Sequence, residues 1–125
     1  MELNQYQEKA MTTCMESSRN YSYMSGNLSA EVGELQGKVN KAQRKGLIKF
    51  REDGHIVWSG DYNKLGEFMC ELAKEAGDVL WQLSGLCSVM GWSLEEVAQM
   101  NLDKLAARKE AGTIVGNGDG IIREK

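Results

Sequence analysis

The sequence predicts an all-α fold, a bundle of about four helices interrupted by a short β-hairpin over residues 47–60. Three observations carry this expectation. The chain has no proline. Its apolar residues recur mainly three and four positions apart, the period of an amphipathic helix. That period fails between Leu47 and Gly60, where two short apolar runs flank Glu52-Asp53-Gly54. At 125 residues the chain fits one domain, with a core that needs no disulfide or zinc staple.

The first helix carries Leu3, Tyr6, Ala10, Cys14 and Ser17 on one face and gives way to small and polar residues from Ser18 to Gly26. The second places Leu28, Val32, Leu35, Val39 and Ala42 in one stripe, with Gly46 suited to cap its end. Leu47-Ile48-Lys49-Phe50-Arg51 and His55-Ile56-Val57-Trp58 then form the hairpin arms. The third helix, from about Tyr62 to Met90, aligns Leu65, Phe68, Met69, Leu72, Ala76, Val79, Leu83, Leu86 and Met90. It spans roughly 40 Å at about 1.5 Å per residue. Gly91 ends it, and Ser93-Leu94-Glu95-Glu96 is a capping box for the fourth helix, which runs through Val97, Ala98, Asn101 and Leu105 to about Ala111. A glycine-rich tail over 112–125 cannot continue as helix and is expected to order only over a ligand.

Composition excludes several classes of function. An apolar fraction of 42% and a charged fraction of 26% are those of a soluble globular protein. The uninterrupted apolar runs are far too short to span a membrane. Met1-Glu2-Leu3-Asn4-Gln5 offers neither the basic start nor the apolar stretch of a secretory leader, so a cytoplasmic location is expected. Cys14, Cys70 and Cys87 are odd in number, far apart and free of any Cys-x-x-Cys unit, and read as reduced thiols, mostly buried. The only histidine, His55, lies beside Asp53-Gly54 in a turn, which leaves no basis for a histidine-rich metal site or a Ser-His-Asp triad. A net charge of −3 gives no broad footprint for polymeric nucleic acid. Any chemistry must rest on oxygen ligands.

Glu31 and Glu34 lie three apart on the second helix and share a face, where their charges repel by a few tenths of a kcal/mol. Alone, such a pair is usually a solvated surface, and Lys38 and Lys41 are ordinary ion-pair partners nearby. The third helix changes that reading. Glu75-Ala76-Gly77-Asp78 repeats the order of Glu31-Val32-Gly33-Glu34: acid, small or apolar residue, glycine, acid. Both pairs flank the apolar stripes of their helices, so packing of the stripes makes the four carboxylates converge. Gly33 and Gly77 each cost on the order of 1 kcal/mol relative to alanine, which close helix approach or room for a ligand would explain.

Four carboxylates without imidazole or thiolate match a hard, oxygen-seeking cation, Mg²⁺ first and Mn²⁺ as a substitute. A di-iron bundle normally needs Glu-x-x-His, which is absent. Four negative charges favour two or more ions together with a bound nucleotide, the metals activating water and steadying charge on phosphorus. On the fourth helix, Asn101 falls in the apolar stripe, where a buried amide must find partners. Lys104 and Arg108 continue that ridge, and the three offer donors to a sugar or phosphate. The plainer alternative is a helix edge with Arg108 near the C-terminal dipole. Among Trp58, Trp81 and Trp92, Trp81 stands one turn after Asp78 and is the best stacking candidate. Gly33 to Val39 lacks the length and hydroxyl of a P-loop, and Asn117-Gly118-Asp119-Gly120 is too near the C-terminus for an EF-hand.

At these residues the chain resembles the MazG-like all-α nucleoside triphosphate pyrophosphohydrolases from about Leu3 to Gly120, the 47–60 segment apart. The resemblance rests on Ala30-Glu31-Val32-Gly33-Glu34-Leu35, on Lys74-Glu75-Ala76-Gly77-Asp78-Val79-Leu80-Trp81, and on Leu94-Glu95-Glu96-Val97 with Asn101, Lys104-Leu105, Arg108 and Gly112-Thr113. It implies that Glu31, Glu34, Glu75 and Asp78 bind Mg²⁺, with Glu34 and Glu75 assigned to catalysis. It further implies that Asn101 and Lys104 contact the nucleotide and that Lys38 assists at the phosphates. The implied reaction converts a nucleoside triphosphate to its monophosphate and pyrophosphate, in a homodimer or homotetramer that cleans the nucleotide pool. The alternatives are a non-catalytic nucleotide-binding or regulatory helical oligomer, and a structural oligomer whose acids are surface charge.

Overall fold

A computed structural model describes residues 1–112, and the tail expected beyond Gly112 lies outside the described residues. Four helices and one hairpin follow in order: α1 (Leu3–Met11), α2 (Tyr21–Arg44), β1 (Ile48–Phe50), β2 (Ile56–Trp58), α3 (Leu65–Val89) and α4 (Leu94–Glu110). The all-α bundle with a small hairpin is therefore what the chain forms. The strands pair antiparallel with Ile48 opposite Trp58 and Phe50 opposite Ile56. Gly54 turns between them at φ +86°, a conformation that a side chain would strain.

Helix boundaries depart from the apolar spacing in two places. α1 stops at Met11 and does not carry its period through Ser17. The Thr12 and Thr13 hydroxyls donate to the Lys9 and Ala10 carbonyls at 2.6 and 2.7 Å, and Arg19 Nη2 donates to the Met11 carbonyl at 2.8 Å. These local bonds satisfy the last carbonyls and close the helix. α2 begins at Tyr21, about two turns before Leu28. Asn20 caps it by accepting from the Tyr23 N–H at 2.8 Å. Ser22 and Gly26, which read as an interruption, face solvent, while Met24 between them is fully buried.

The other ends follow the expected signals. Gly46 and Gly91 take φ of +73° and +76° after α2 and α3, and the Leu47 and Trp92 amides reach back to Ala42 and Cys87 carbonyls at 3.0 and 2.8 Å. Ser93 accepts from the Glu96 N–H at 3.0 Å to start α4 as an N-cap, the first half of the expected capping box. The first turn of α4 is also tied to α1, since Leu94 N–H donates to Gln7 Oε1 at 2.8 Å and Glu95 N–H to Asn4 Oδ1 at 3.2 Å.

α2 and α3 run antiparallel, because Asn27 meets Gln82 towards one end and Lys38 meets Glu71 towards the other. Apolar packing closes the pair at both ends. One cluster joins Ala10, Met11, Cys14 and Met24 to Tyr6, Trp81, Leu86 and Val89. The second joins Val39, Ala42 and Ile48 to Leu47, Trp58, Phe68 and Leu72. The hairpin therefore covers the far end of the helix pair, with Trp58 tilted against Phe68 at 5.7 Å.

The predicted stripes are only partly inside. Val32, Met69, Ala76 and Met90 are exposed, whereas Gln82 and Ser84 are buried. α1 and α2 together enclose the C-terminal half of α3, so burial there spreads round the helix and includes small and polar residues. Gly85 shows why. A Cβ at that position would lie 2.6 Å from Cε of the fully buried Met24, so that side chain would have to shift. Gly85→Ala is expected to lower stability by about 1–3 kcal/mol through overpacking. Gly37→Ala, whose Cβ meets nothing within 4 Å, is expected to raise it by up to about 1 kcal/mol. Urea denaturation of the two variants checks the contrast.

Candidate metal centre

The faces that α2 and α3 turn to each other carry a polar seam between the two apolar clusters. Along α2 it runs Asn27, Glu31, Glu34, Lys38. Along α3 it runs back through Gln82, Asp78, Glu75, Glu71. Steps of four, three and four on one helix are matched by the same steps on the other, which keeps each row on one face. Asn27 Nδ2 donates to Gln82 Oε1 at 2.9 Å, and Lys38 Nζ donates to Glu71 Oε2 at 2.8 Å. The acids lie between these two contacts.

Glu31, Glu34 and Glu75 each contribute an oxygen to a cluster in which the three atoms lie within 4.8 Å of one another. Glu31 and Glu75 are half-buried and Glu34 is exposed. Glu31 Oε2 and Glu75 Oε2 are buried with no hydrogen-bond partner. A buried carboxylate oxygen left without a donor is costly, and two in one cluster call for a shared positive partner. The nearest cation along the seam, Lys38, is paired with Glu71. That exposed ion pair holds the Glu71 carboxyl below its ordinary range and the Lys38 ammonium above.

Electrostatics mark the same spot. Burial pushes the Glu31 carboxyl up, and the charges of Glu34, Asp78 and Glu75 add to the shift. Asp78 is exposed and also acts across the bundle: burial, then the Asp78 charge, raises the Tyr6 phenol on α1. All donors are carboxylate oxygens, two of them buried and unmatched, and such a set fits a hard divalent cation. Close packing does not account for the glycines beside them. A Cβ on Gly33 or Gly77 would meet nothing within 4 Å, and both glycines are exposed, off the row of acids.

The remaining predicted residues are placed apart from this cluster or are otherwise engaged. Trp81, the expected stacking residue, ties α1 to α3 through its N–H. Its indole N–H donates to the Ala10 carbonyl at 3.1 Å and to Thr13 Oγ1 at 3.0 Å. Asn101, expected as a buried amide, is exposed, because Leu94 is the only described residue of α4 that is buried. α1 covers the first turn of α4 and leaves the rest of that stripe open. Asn101 and Lys104 share a surface groove with Trp92, Glu96, Val97 and Met100, and none of the four acids lines it. Arg108 is half-buried further along the helix.

Sequence reasoning overlooked Asn27 and Glu71 and gave Gln82 no structural role. The signal was present: each stands four residues from an acid, one step further along the same spacing.

Residues 19–113 match the model of the MazG nucleotide pyrophosphohydrolase domain. The chain is also similar to the "Gene 37 protein" of Mycobacterium phage L5, 36% identical over 98 residues that cover 78% of this chain and 74% of that protein. No solved structure matches the chain.

Raised proton affinity at Glu31 makes a signed prediction. The folded state holds that proton above the ordinary carboxylate range, so the metal-free fold gains from Glu31 as pH falls towards the unfolded value and loses the gain as pH rises. Glu31→Gln is expected to stabilise the metal-free protein at pH 7–8 by a few tenths of a kcal/mol, about 1–3 °C in Tm. A divalent cation is expected to stabilise the parent, and Glu31→Gln is expected to lose that gain. Thermal melts with Mg²⁺ and with a chelator read both effects.

Proposed function

The chain belongs to the MazG nucleotide pyrophosphohydrolase domain family, and on that premise we propose that it hydrolyses a nucleoside or deoxynucleoside triphosphate to the monophosphate and pyrophosphate. One observation carries the reading beyond family membership. Glu31 Oε2 and Glu75 Oε2 are buried and unmatched within a cluster of three carboxylates, a donor set made for a cation that carries phosphates with it.

In this reading Glu31, Glu34, Glu75 and Asp78 hold Mg²⁺, or Mn²⁺ in its place. A bound divalent cation would neutralise phosphate charge and lower the pKa of water there. Glu34 is the solvent-facing member of the cluster, and one of its oxygens takes the proton that the attacking water gives up. Glu75, half-buried on α3, fixes the direction from which water approaches. The water oxygen joins the phosphorus nearest the sugar, and the bond from that phosphorus to its bridging oxygen breaks. Pyrophosphate leaves with the bond's electron pair. Lys38, Asn101, Lys104 and Arg108 supply donors to the phosphates and sugar. Trp81, whose N–H is engaged with α1, offers its ring face for stacking on the base.

Assembly belongs to the same proposal. Val32, Met69, Leu80, Met100 and Leu102 are 38–71% exposed, and apolar side chains in such number on helix faces favour a homodimer or homotetramer. Among the described residues no helix is long and apolar enough to cross a membrane. We assign the protein to nucleotide-pool cleaning in the cytoplasm.

A panel of ordinary and modified dNTPs with Mg²⁺ tests the reaction. Monophosphate and pyrophosphate are expected in equal amounts, and Glu75→Gln or Asp78→Asn is expected to lower kcat/KM at least ~10³-fold, the scale of losing one transition-state electrostatic contact. Release of orthophosphate would overturn the assignment. Nucleotide-dependent thermal stabilisation without product would favour the non-catalytic binder.

A further inference from the structure

We propose that Asn27 and Gln82 form a positioning clamp that sets the register of α2 against α3 and thereby holds the acid cluster at cation-binding spacing. The inference rests on the metal-site reading above and deepens it.

Placement comes first. Asn27 precedes Glu31 by one helical turn and Gln82 follows Asp78 by one turn, so the clamp sits about 6 Å along the axes from the nearest acids. It is the only hydrogen bond between side chains of α2 and α3 on that side of the cluster among the described residues, apart from the Gln82 contact to Met24. At the other end, Lys38 and Glu71 are 39% and 46% exposed at their side chains. Water and salt weaken a pair of that kind. Gln82 is 2% exposed and Asn27 half-buried, so their bond is better shielded from water and salt than the Lys38–Glu71 pair.

The chemistry of the pair argues for register over stability. Gln82 Oε1 accepts from Asn27 Nδ2 at 2.9 Å, but Gln82 Nε2 finds only Met24 Sδ, at 3.4 Å. Sulfur is a weak acceptor. The buried carboxamide thus makes one good bond and one poor one, where two apolar side chains of equal volume would pack without that cost. What the amide pair does and an apolar pair does not is to oppose sliding or rotation, because any shift of one helix leaves the buried Gln82 Oε1 without a replacement donor. The carboxylates repel one another at this point, so something must hold the helices while the cluster is empty.

The test separates positioning from mere stability. Mn²⁺ affinity is read from the paramagnetic resonance of free Mn²⁺ without nucleotide, beside thermal melts in a chelator. Gln82→Met takes the protein acceptor from the half-buried Asn27 Nδ2, and is expected to lower both Tm and Mn²⁺ affinity, the latter about ten-fold, the lower end of what loss of a group that orients metal ligands costs. Asn27→Leu with Gln82→Met removes both polar ends. It is expected to recover Tm while affinity stays about ten-fold weak. The exchanged pair, Asn27→Gln with Gln82→Asn, keeps an amide bond of the same combined reach and is expected to recover affinity. Recovery of both Tm and affinity in the apolar pair would overturn the clamp, as would unchanged Mn²⁺ affinity in Gln82→Met. Failure of the parent itself to bind Mn²⁺ would instead overturn the metal-site reading, and the clamp with it.

Discussion

Mutual repulsion of carboxylates along one helix seam is the constraint on which the rest of this structure depends. Glu31, Glu34 and Glu75 gather oxygens within 4.8 Å, and Asp78 adds its charge to Glu31. Nothing in that arrangement favours the fold by itself. The helices are closed by apolar packing at the two ends of the seam, by a cluster built on Met24 and α1 and one built on Val39, Ala42 and Ile48, with the Asn27–Gln82 and Lys38–Glu71 bonds on either side of the acids. Burial of apolar surface at about 25 cal/mol per Å² supplies the closing force there. The acids lie between two apolar anchors, and this lets a destabilising cluster persist in a stable bundle.

This division of labour gives the hairpin and α1 a role. Trp58 on β2 packs against Phe68 of α3, and Ile48 on β1 is buried against α2 residues. Trp81 ties α1 to α3 through its indole N–H. Each element sits beyond an end of the seam and braces α2 and α3 without entering it.

Much of this was legible in the sequence, for identifiable reasons. Helix ends were readable where one residue carries the signal: Gly46 and Gly91 at positive φ, Ser93 as a cap. They were not readable where polar side chains compete locally, as Thr12 and Thr13 do at the end of α1, or where Asn20 starts α2 ahead of its apolar stripe. The acid pairs stood out because the third helix repeats the order of the second. Their polar continuation through Asn27, Gln82 and Glu71 did not, because period analysis follows apolar residues and a buried Gln82 runs against that signal. Asn101 was misjudged for a related cause: periodicity marks a face that something must cover, not whether the same chain covers it. The exposed stripe of α4 with Trp92 and Met100 is such a face.

A crystal grown with Mn²⁺ and a non-hydrolysable triphosphate tests the central claim most directly, since manganese is located by its anomalous scattering. The account predicts a manganese peak within about 2.5 Å of Glu31 and Glu75 oxygens, a distance set by oxygen-ligated divalent cations, with a phosphate oxygen on the same ion. Manganese bound elsewhere, with Glu31 and Glu75 facing only ordered water, would contradict it.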